Sequence, residues 1–431
     1  MSFQNLIRTT TFYGLIGIVL CNTTLLAQEH LLEVDTRNIK AEIPETLFGI
    51  FYEDINFAGD GGLYSELVKN RSFEFYLPKT GWSEPGYNSY TFNPDSGSSS
   101  LLKYGTEEGN QTYLQVHIAQ DDGYALINEG FRGMGIKQGS TYRFSVMAAP
   151  GKGAVQALVA TLIDDDGADI GSVRIPVSDN GWTTYEQVLT ASQTVEKARL
   201  KLTFEGEGDL NIDMVSLFPT DTWKGRKNGL RKDIVSLLYD MQPGFLRFPG
   251  GCIVEGRTLA GRYQWKKTVG PVAERTAQIN RWNTEFSHRP TPDYFQSFGL
   301  GFFEYFELAE DLGAEPLPIL GCGMACQFNT GELVALDQLD PYIQDALDLI
   351  EFANGSPSTP WGELRSDMGH PEPFNLTYIG IGNEQWGPEY VERLELFNRA
   401  IREKYPEIKI VGSSGPFAEG DFFDYGWEKM R

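Results

Sequence analysis

The sequence is short of the residues that build metal centres and disulfide frameworks. It holds four histidines and four cysteines in 431 residues. His30, His117, His288 and His370 are scattered, none at ligand spacing from a cysteine, so no metal and no other cofactor is expected. Cys21 lies in an N-terminal apolar stretch. The remaining Cys252, Cys322 and Cys326 are too few to staple so long a chain. Cys322 and Cys326 suit a bridge across a short loop, and suit burial as small apolar residues equally well. Positive charge is scarce: 36 Lys and Arg stand against 59 Asp and Glu, a net charge of -23. Such a surface excludes nucleic acid and an anionic membrane as natural partners and favours a neutral or cationic ligand. No apolar run is long enough to span a bilayer. No glycine-rich phosphate loop follows any expected strand, which counts against a doubly wound nucleotide-binding sheet.

What is present describes a secreted globular protein. Hydrophobic residues make up 41% and charged residues 22%, enough apolar surface for a large core. The length predicts two or three domains. Residues 1–27 read as a signal peptide: Arg8 is the only charge, Phe12 to Cys21 is an apolar run, and the small Ala27 marks the cleavage site. An exported protein, periplasmic or extracellular, is expected.

Three textures follow. Residues 28–80 open an α/β domain, with a strand at Leu47 to Phe51 and a helix expected from Leu63 to Lys69. Residues 81–220 alternate apolar and polar side chains with period two, as at Leu114, Val116 and Ile118, or Ala198, Leu200, Leu202 and Phe204. That pattern predicts an inserted antiparallel β-sandwich. Ile212, Met214 and Leu217 mark a less regular last strand. Residues 221–431 return to strand, loop and helix. Strands are expected at Gly244 to Phe248, Pro316 to Leu320, Thr377 to Ile381 and Lys409 to Val411. Helices are expected from Phe302 to Leu312, after Asp340-Pro341, from Glu389 to Tyr405 and from Phe422 to Arg431. Alternating strands and helices predict a parallel sheet with polar residues at its C-terminal edge, the layout of a (β/α)8 TIM-type barrel. Only about five of the eight strands are counted. An open five-stranded fold is the alternative to a truncated barrel.

The chemistry concentrates at strand ends. Glu384, in Gly382-Asn383-Glu384-Gln385-Trp386-Gly387, follows an apolar strand. A carboxyl placed there can give a proton to a glycosidic oxygen and later take one from water. Asn383 suits a sugar hydroxyl, and Trp386 gives a wall for a sugar ring. Arg247, in Leu246-Arg247-Phe248-Pro249-Gly250-Gly251-Cys252, follows a buried strand and must find a carboxylate or a substrate oxygen. Cys252 has no histidine nearby to activate it, so it reads as a pocket wall and not a nucleophile. Glu53 ends the first strand as a substrate-bonding or capping carboxylate.

Four segments, 48–75, 245–262, 265–275 and 379–387, together resemble the alpha-L-arabinofuranosidases of glycoside hydrolase family 51. The resemblance implies a (β/α)8 barrel and a retaining mechanism with two carboxylates. It makes Glu384 the general acid/base, Asn383 the sugar-bonding residue before it, and Glu53, Arg247 and Cys252 neighbours of the arabinose. Trp282 matches an aromatic of the pocket, and the insertion resembles a carbohydrate-binding module. The implied substrates are plant cell-wall polysaccharides, arabinoxylan or arabinan, and arabino-oligosaccharides. Oligomeric state is left open. The family's nucleophile, a second Glu at the seventh strand, is expected beyond Arg431, so the 431 residues read as an N-terminal piece that is inactive alone. A retaining endo-glycanase and a non-catalytic carbohydrate-binding protein are the competing readings.

Overall fold

A computed structural model describes residues 37, 39–84, 96–105, 109–121, 123–178, 180–285 and 294–431. The expected signal peptide lies outside them. Residues up to Pro44 form a separate unit, whose described part, 37 and 39–44, carries neither helix nor strand. Everything below concerns Glu45–Arg431.

The site rests on a five-stranded parallel sheet. Its strands are β1 (Ile50–Phe51), β2 (Phe245–Phe248), β3 (Glu315–Leu320), β4 (Tyr378–Ile381) and β5 (Lys409–Val411), side by side in chain order. Phe51 pairs with Arg247, Arg247 with Leu317, Leu320 with Ile381 and Gly380 with Val411. Parallel pairing puts every C-terminal strand end at one edge, so the segments after Phe51, Phe248 and Ile381 meet. The helices are α1 (Lys232–Asp240), α2 (Cys252–Glu255), α3 (Arg281–Glu285), α4 (Phe302–Leu312), α5 (Asp340–Asn354), α6 (Pro360–Asp367), α7 (Pro388–Lys404) and α8 (Asp421–Met430).

Local chemistry explains most of these elements. Helix α4 buries Phe302, Phe306, Ala309 and Leu312 and stops at Gly313 in the left-handed region, φ 67°. Its Phe302, Tyr305 and Phe306 close around the Phe248 ring of β2. Helix α5 starts at Asp340 with proline in its first turn and buries Ala346, Leu349, Ile350 and Ala353. Helix α7 buries Val391, Leu394, Phe397 and Ile401. On α6 the guanidinium of Arg365, fully buried, donates to the carbonyls of Phe352, Gly355, His370 and Pro371. A buried cation without a carboxylate is tolerated because four dipoles solvate it.

The segment 63–69 is not the helix its pattern predicts. Its polar groups bond sideways. Ser65 Oγ donates to the Gly229 carbonyl, Val68 N–H to Glu66 Oε1, and Lys69 N–H to Asn128 Oδ1. Leu63 and Tyr64 join the core in an extended bridge to Leu230.

Between β1 and β2 stand two antiparallel sheets. One orders the strands Thr183–Thr190, Thr141–Gly153, Gly208–Pro219, Thr112–Ile118 and Gly97–Lys103. The other orders Trp82–Ser83, Ala125–Asn128, Val195–Glu205, Ala157–Ile163 and Asp169–Pro176. One cluster of buried side chains joins both, with Leu114, Val116, Phe144 and Ile212 from the first and Leu158, Leu162, Leu200 and Phe204 from the second. The last strand is irregular at a bulge between Asp213 and Ser216, where Met214 has φ 48°. Cys252, Cys322 and Cys326 are all free thiols, so Cys322 and Cys326 are not bridged and instead sit buried. Among the described residues no helix is long and apolar enough to cross a membrane.

Candidate active site

The C-terminal edge of the sheet gathers Glu53, Arg247, Cys252, Asn383 and Glu384. Glu53 follows β1, and its Oε1 accepts the Gly251 N–H at 2.9 Å. A Cβ at Gly250 would come within 2.8 Å of Glu53 Cγ, so the loop after β2 lies against Glu53 only because the residue is glycine. Arg247, in β2, donates from Nη2 to Asn383 Oδ1 at 2.6 Å. Its guanidinium also lies 4.5 Å from the centre of the Phe51 ring. Burial pulls the Arg247 pKa down, against the opposing pull of Glu53, Glu384 and Glu255. Its charge therefore sits among three carboxylates without being spent on one of them.

The loop after β4 presents Asn383 and Glu384. Gly382 opens it at φ +80°, and a Cβ there would stand 2.7 Å from Gln385 Oε1. Gln385 is buried; its Oε1 accepts the Asn383 N–H while its Nε2 donates to Glu255 Oε2. Asn383 keeps a buried Nδ2 with no partner among the described residues. Glu384 Oε2 accepts the Cys252 thiol at 3.2 Å. A hydrogen bond with Cys326, burial, and the charges of Glu255 and Glu384 hold the Cys252 thiol protonated, well above the usual thiol range. Cys252 is thus a donor to the carboxylate, not a nucleophile.

Two aromatic candidates sit further out. Trp282 lies on α3, which packs against α2. Its indole rests on the core with the Arg281 guanidinium 5.4 Å from the ring. The segment is tied to the sheet edge by Asn280, whose Nδ2 donates to the Asp54 carbonyl at 2.7 Å. Trp386 is pinned by Gln327, which accepts its N–H at 2.9 Å and donates to its carbonyl at 3.2 Å. Its ring meets Phe328 at 5.0 Å, and Phe417 and Phe422 at 6.4 Å. Those three phenylalanines are exposed, so an apolar shelf flanks the carboxylates. A cavity of about 940 Å³ lies elsewhere, between Tyr64, Lys137, Glu196 and Arg231, and none of the strand-end residues lines it.

Sequence reasoning missed Glu255, Gln385 and the pairing of Cys326 with Cys252. Glu255 is three positions after Cys252 on one helix, so both face the same way. Burial first, and the Cys326 thiol next, push its carboxyl up to about 8. Nothing local announces Cys326, which arrives from the loop after β3.

A family model described as the Alpha-L-arabinofuranosidase 1 domain matches residues 237–427. An extracellular exo-alpha-L-arabinofuranosidase of Streptomyces chartreusis is 38% identical over 428 residues, covering 94% of this chain and 48% of that protein. Alpha-L-arabinofuranosidase 1 of Arabidopsis thaliana is 37% identical, covering 91% of this chain and 58% of that one. The solved structure of arabinose-bound MgGH51 alpha-L-arabinofuranosidase superposes with a TM-score of 0.77 at 30% identity, covering 87% of this chain and 60% of that one.

The chain belongs to the alpha-L-arabinofuranosidases of glycoside hydrolase family 51.

It spans about half the length of the Streptomyces relative and somewhat more of the plant one. In this arabinofuranosidase-family chain the strand-end cluster rests on buried Asp54, next to Glu53. Asp54 accepts the Gly59 N–H at 2.8 Å and the Tyr294 hydroxyl. Burial outweighs those bonds and raises its carboxyl to about 6. The unfolded chain releases this proton near pH 4 and the folded chain near 6, so stability from Asp54 is full below pH 4 and lost as pH rises to 6. Asp54→Asn has no proton to lose. Its stability relative to the parent should rise by about 2–3 kcal/mol between pH 4 and pH 7 and then stay flat. Urea unfolding at a series of pH values measures this; a pH-independent difference would show that Asp54 ionises freely.

Proposed function

We propose that the protein is an exported retaining arabinofuranosidase that releases terminal, non-reducing α-L-arabinofuranosyl residues. Its substrates are arabinose-containing plant polysaccharides, such as arabinoxylan and arabinan, and their oligosaccharides. The observation that carries the reading is the convergence of Glu384, Asn383, Arg247 and Glu53 at one edge of a parallel sheet, in a chain that aligns along nearly its whole length with arabinofuranosidases. The five strands are read as an arc of a (β/α)8 barrel, with the antiparallel sheets as an inserted sandwich between its first two strands.

In this reading Glu384 protonates the departing glycosidic oxygen and then takes a proton from water. The Cys252 thiol steadies the carboxylate it points to. Asn383, oriented through Oδ1 by Arg247, offers its Nδ2 hydrogens to a sugar hydroxyl. Glu53 receives another hydroxyl while the Gly251 N–H fixes it. The shelf at Trp386 and Phe328 receives the next residue of the polymer.

The test is the complete protein on an aryl α-L-arabinofuranoside and on arabinan, with the anomer of the first product followed by NMR. Arabinose released singly, with its configuration retained, is expected. Internal cleavage products would favour an endo-glycanase, and polymer binding with no sugar released would favour a binding protein.

A further inference from the structure

Beside Glu384 is a cluster of groups of which the proposed glycosidase chemistry uses only the Cys252 thiol. Cys252, Glu255 and Cys326 each bring one ligand atom, and the three atoms lie within 4.8 Å of one another. They come from the two ends of α2 and from the loop after β3. Glu255 and Cys326 are buried, while Cys252 is partly exposed and gives a route from solvent. Glu384 borders the trio, with its Oε2 3.2 Å from Cys252 Sγ. A tetrahedral zinc with two sulfurs and two oxygens needs edges of about 3.8 Å between sulfurs and about 3.5 Å between sulfur and oxygen. A contraction of the trio by about 1 Å meets both, with a water oxygen as the fourth ligand.

The geometry points to an inhibitory site for a thiophilic divalent cation, Zn²⁺ in the first instance, built from Cys252, Cys326 and Glu255 beside Glu384. Binding forms two metal–sulfur bonds, one metal–oxygen bond to Glu255 and one to water, and any protons on the two thiols and on Glu255 pass to solvent. No oxidant or reductant takes part. Gln385 supports the site from outside, since its Nε2 orients Glu255 while its Oε1 holds the loop that carries Glu384. Three anionic ligands leave the bound group at a charge of about −1, which the neighbouring Arg247 offsets. The consequence is competition. A bound cation removes the Cys252 proton from Glu384 and sets a divalent charge beside that carboxylate, so metal and sugar exclude each other. That last step rests on the proposed role of Glu384; the binding site does not.

Two measurements separate these claims. The first titrates Cd²⁺ into the complete, reduced protein and follows thiolate-to-cadmium charge-transfer absorption. One equivalent should saturate the band, and Cys326→Ser should abolish it. Absence of the band in the parent, or its persistence in Cys326→Ser, would overturn the site. The second adds Zn²⁺ to the aryl arabinofuranoside assay. Inhibition of about tenfold or more, competitive with substrate and reversed by EDTA, is expected in the parent. Cys326→Ser should lose the inhibition at whatever basal rate it retains, read as the ratio of rates with and without Zn²⁺, and Glu255→Gln repeats the test if the serine variant does not fold. Equal inhibition of parent and variants would overturn the proposal. A cadmium band in a protein without glycosidase activity would leave the site standing and remove the proposed function instead.

Discussion

Glu384→Gln in the complete protein should lower kcat on unactivated arabinofuranosides by about 10²–10⁴-fold, with KM changed little. The substitution keeps an oxygen for the Cys252 thiol, now 3.2 Å away, so the pocket holds its shape while the transferable proton is lost. The loss should depend on the leaving group. A phenol of low pKa departs without proton donation, so the first step survives and only water attack slows. A glycosylated enzyme then accumulates, and a burst of phenol precedes a slow steady state. A kcat within threefold of the parent, or an equal loss for all leaving groups, would remove Glu384 from the acid/base role.

Arg71→Met should lower stability by about 3–5 kcal/mol. Arg71 and Glu66 have side chains 5% and 2% exposed, with Nη1 3.4 Å from Glu66 Oε2. The same Nη1 donates to the Tyr64 hydroxyl at 3.0 Å. Glu66 Oε1 accepts the N–H groups of Val68 and Leu217, joining the segment after β1 to the last sandwich strand. The charge of Arg71 also opposes the burial that raises the carboxyls of Glu66 and Asp60. Methionine fills the volume but leaves both carboxylates buried without a cation. Chemical denaturation reads the loss, and Glu66→Gln on top of Arg71→Met should recover part of it. A single-variant loss below about 1 kcal/mol would show that the pair stabilises nothing.

How far the sequence could be read follows from the range of each interaction. The faces of α4, α5 and α7 were legible because a helix repeats its burial every three or four residues. Glu384 and Arg247 were legible because an apolar strand locates the polar residue at or after its end. The segment 63–69 misled because its buried residues are held by Gly229, Asn128 and the Glu66 carboxylate, none of which leaves a periodic trace. Helix α1 escaped notice because only Val235 is buried and no side chain caps its start. The contacts of Cys252 with Cys326, and of Glu255 with Gln385, join helix α2 to the loops after β3 and β4, which only the sheet order brings together.

The place of the antiparallel sheets between β1 and β2 bears on the order in which the chain assembles. Pairing Ile50 with Leu246 closes a loop of roughly two hundred residues, a large entropic demand for a strand as short as β1. The sandwich meets that demand if it folds first. Its entry and exit are already bonded, since Leu67 N–H reaches the Leu217 carbonyl at 3.0 Å and Val215 N–H reaches the Arg71 carbonyl at 2.9 Å. Once those bonds form, the effective loop shrinks to the short arms on either side. The sandwich is then a folding clamp for the strand that leads into Glu53.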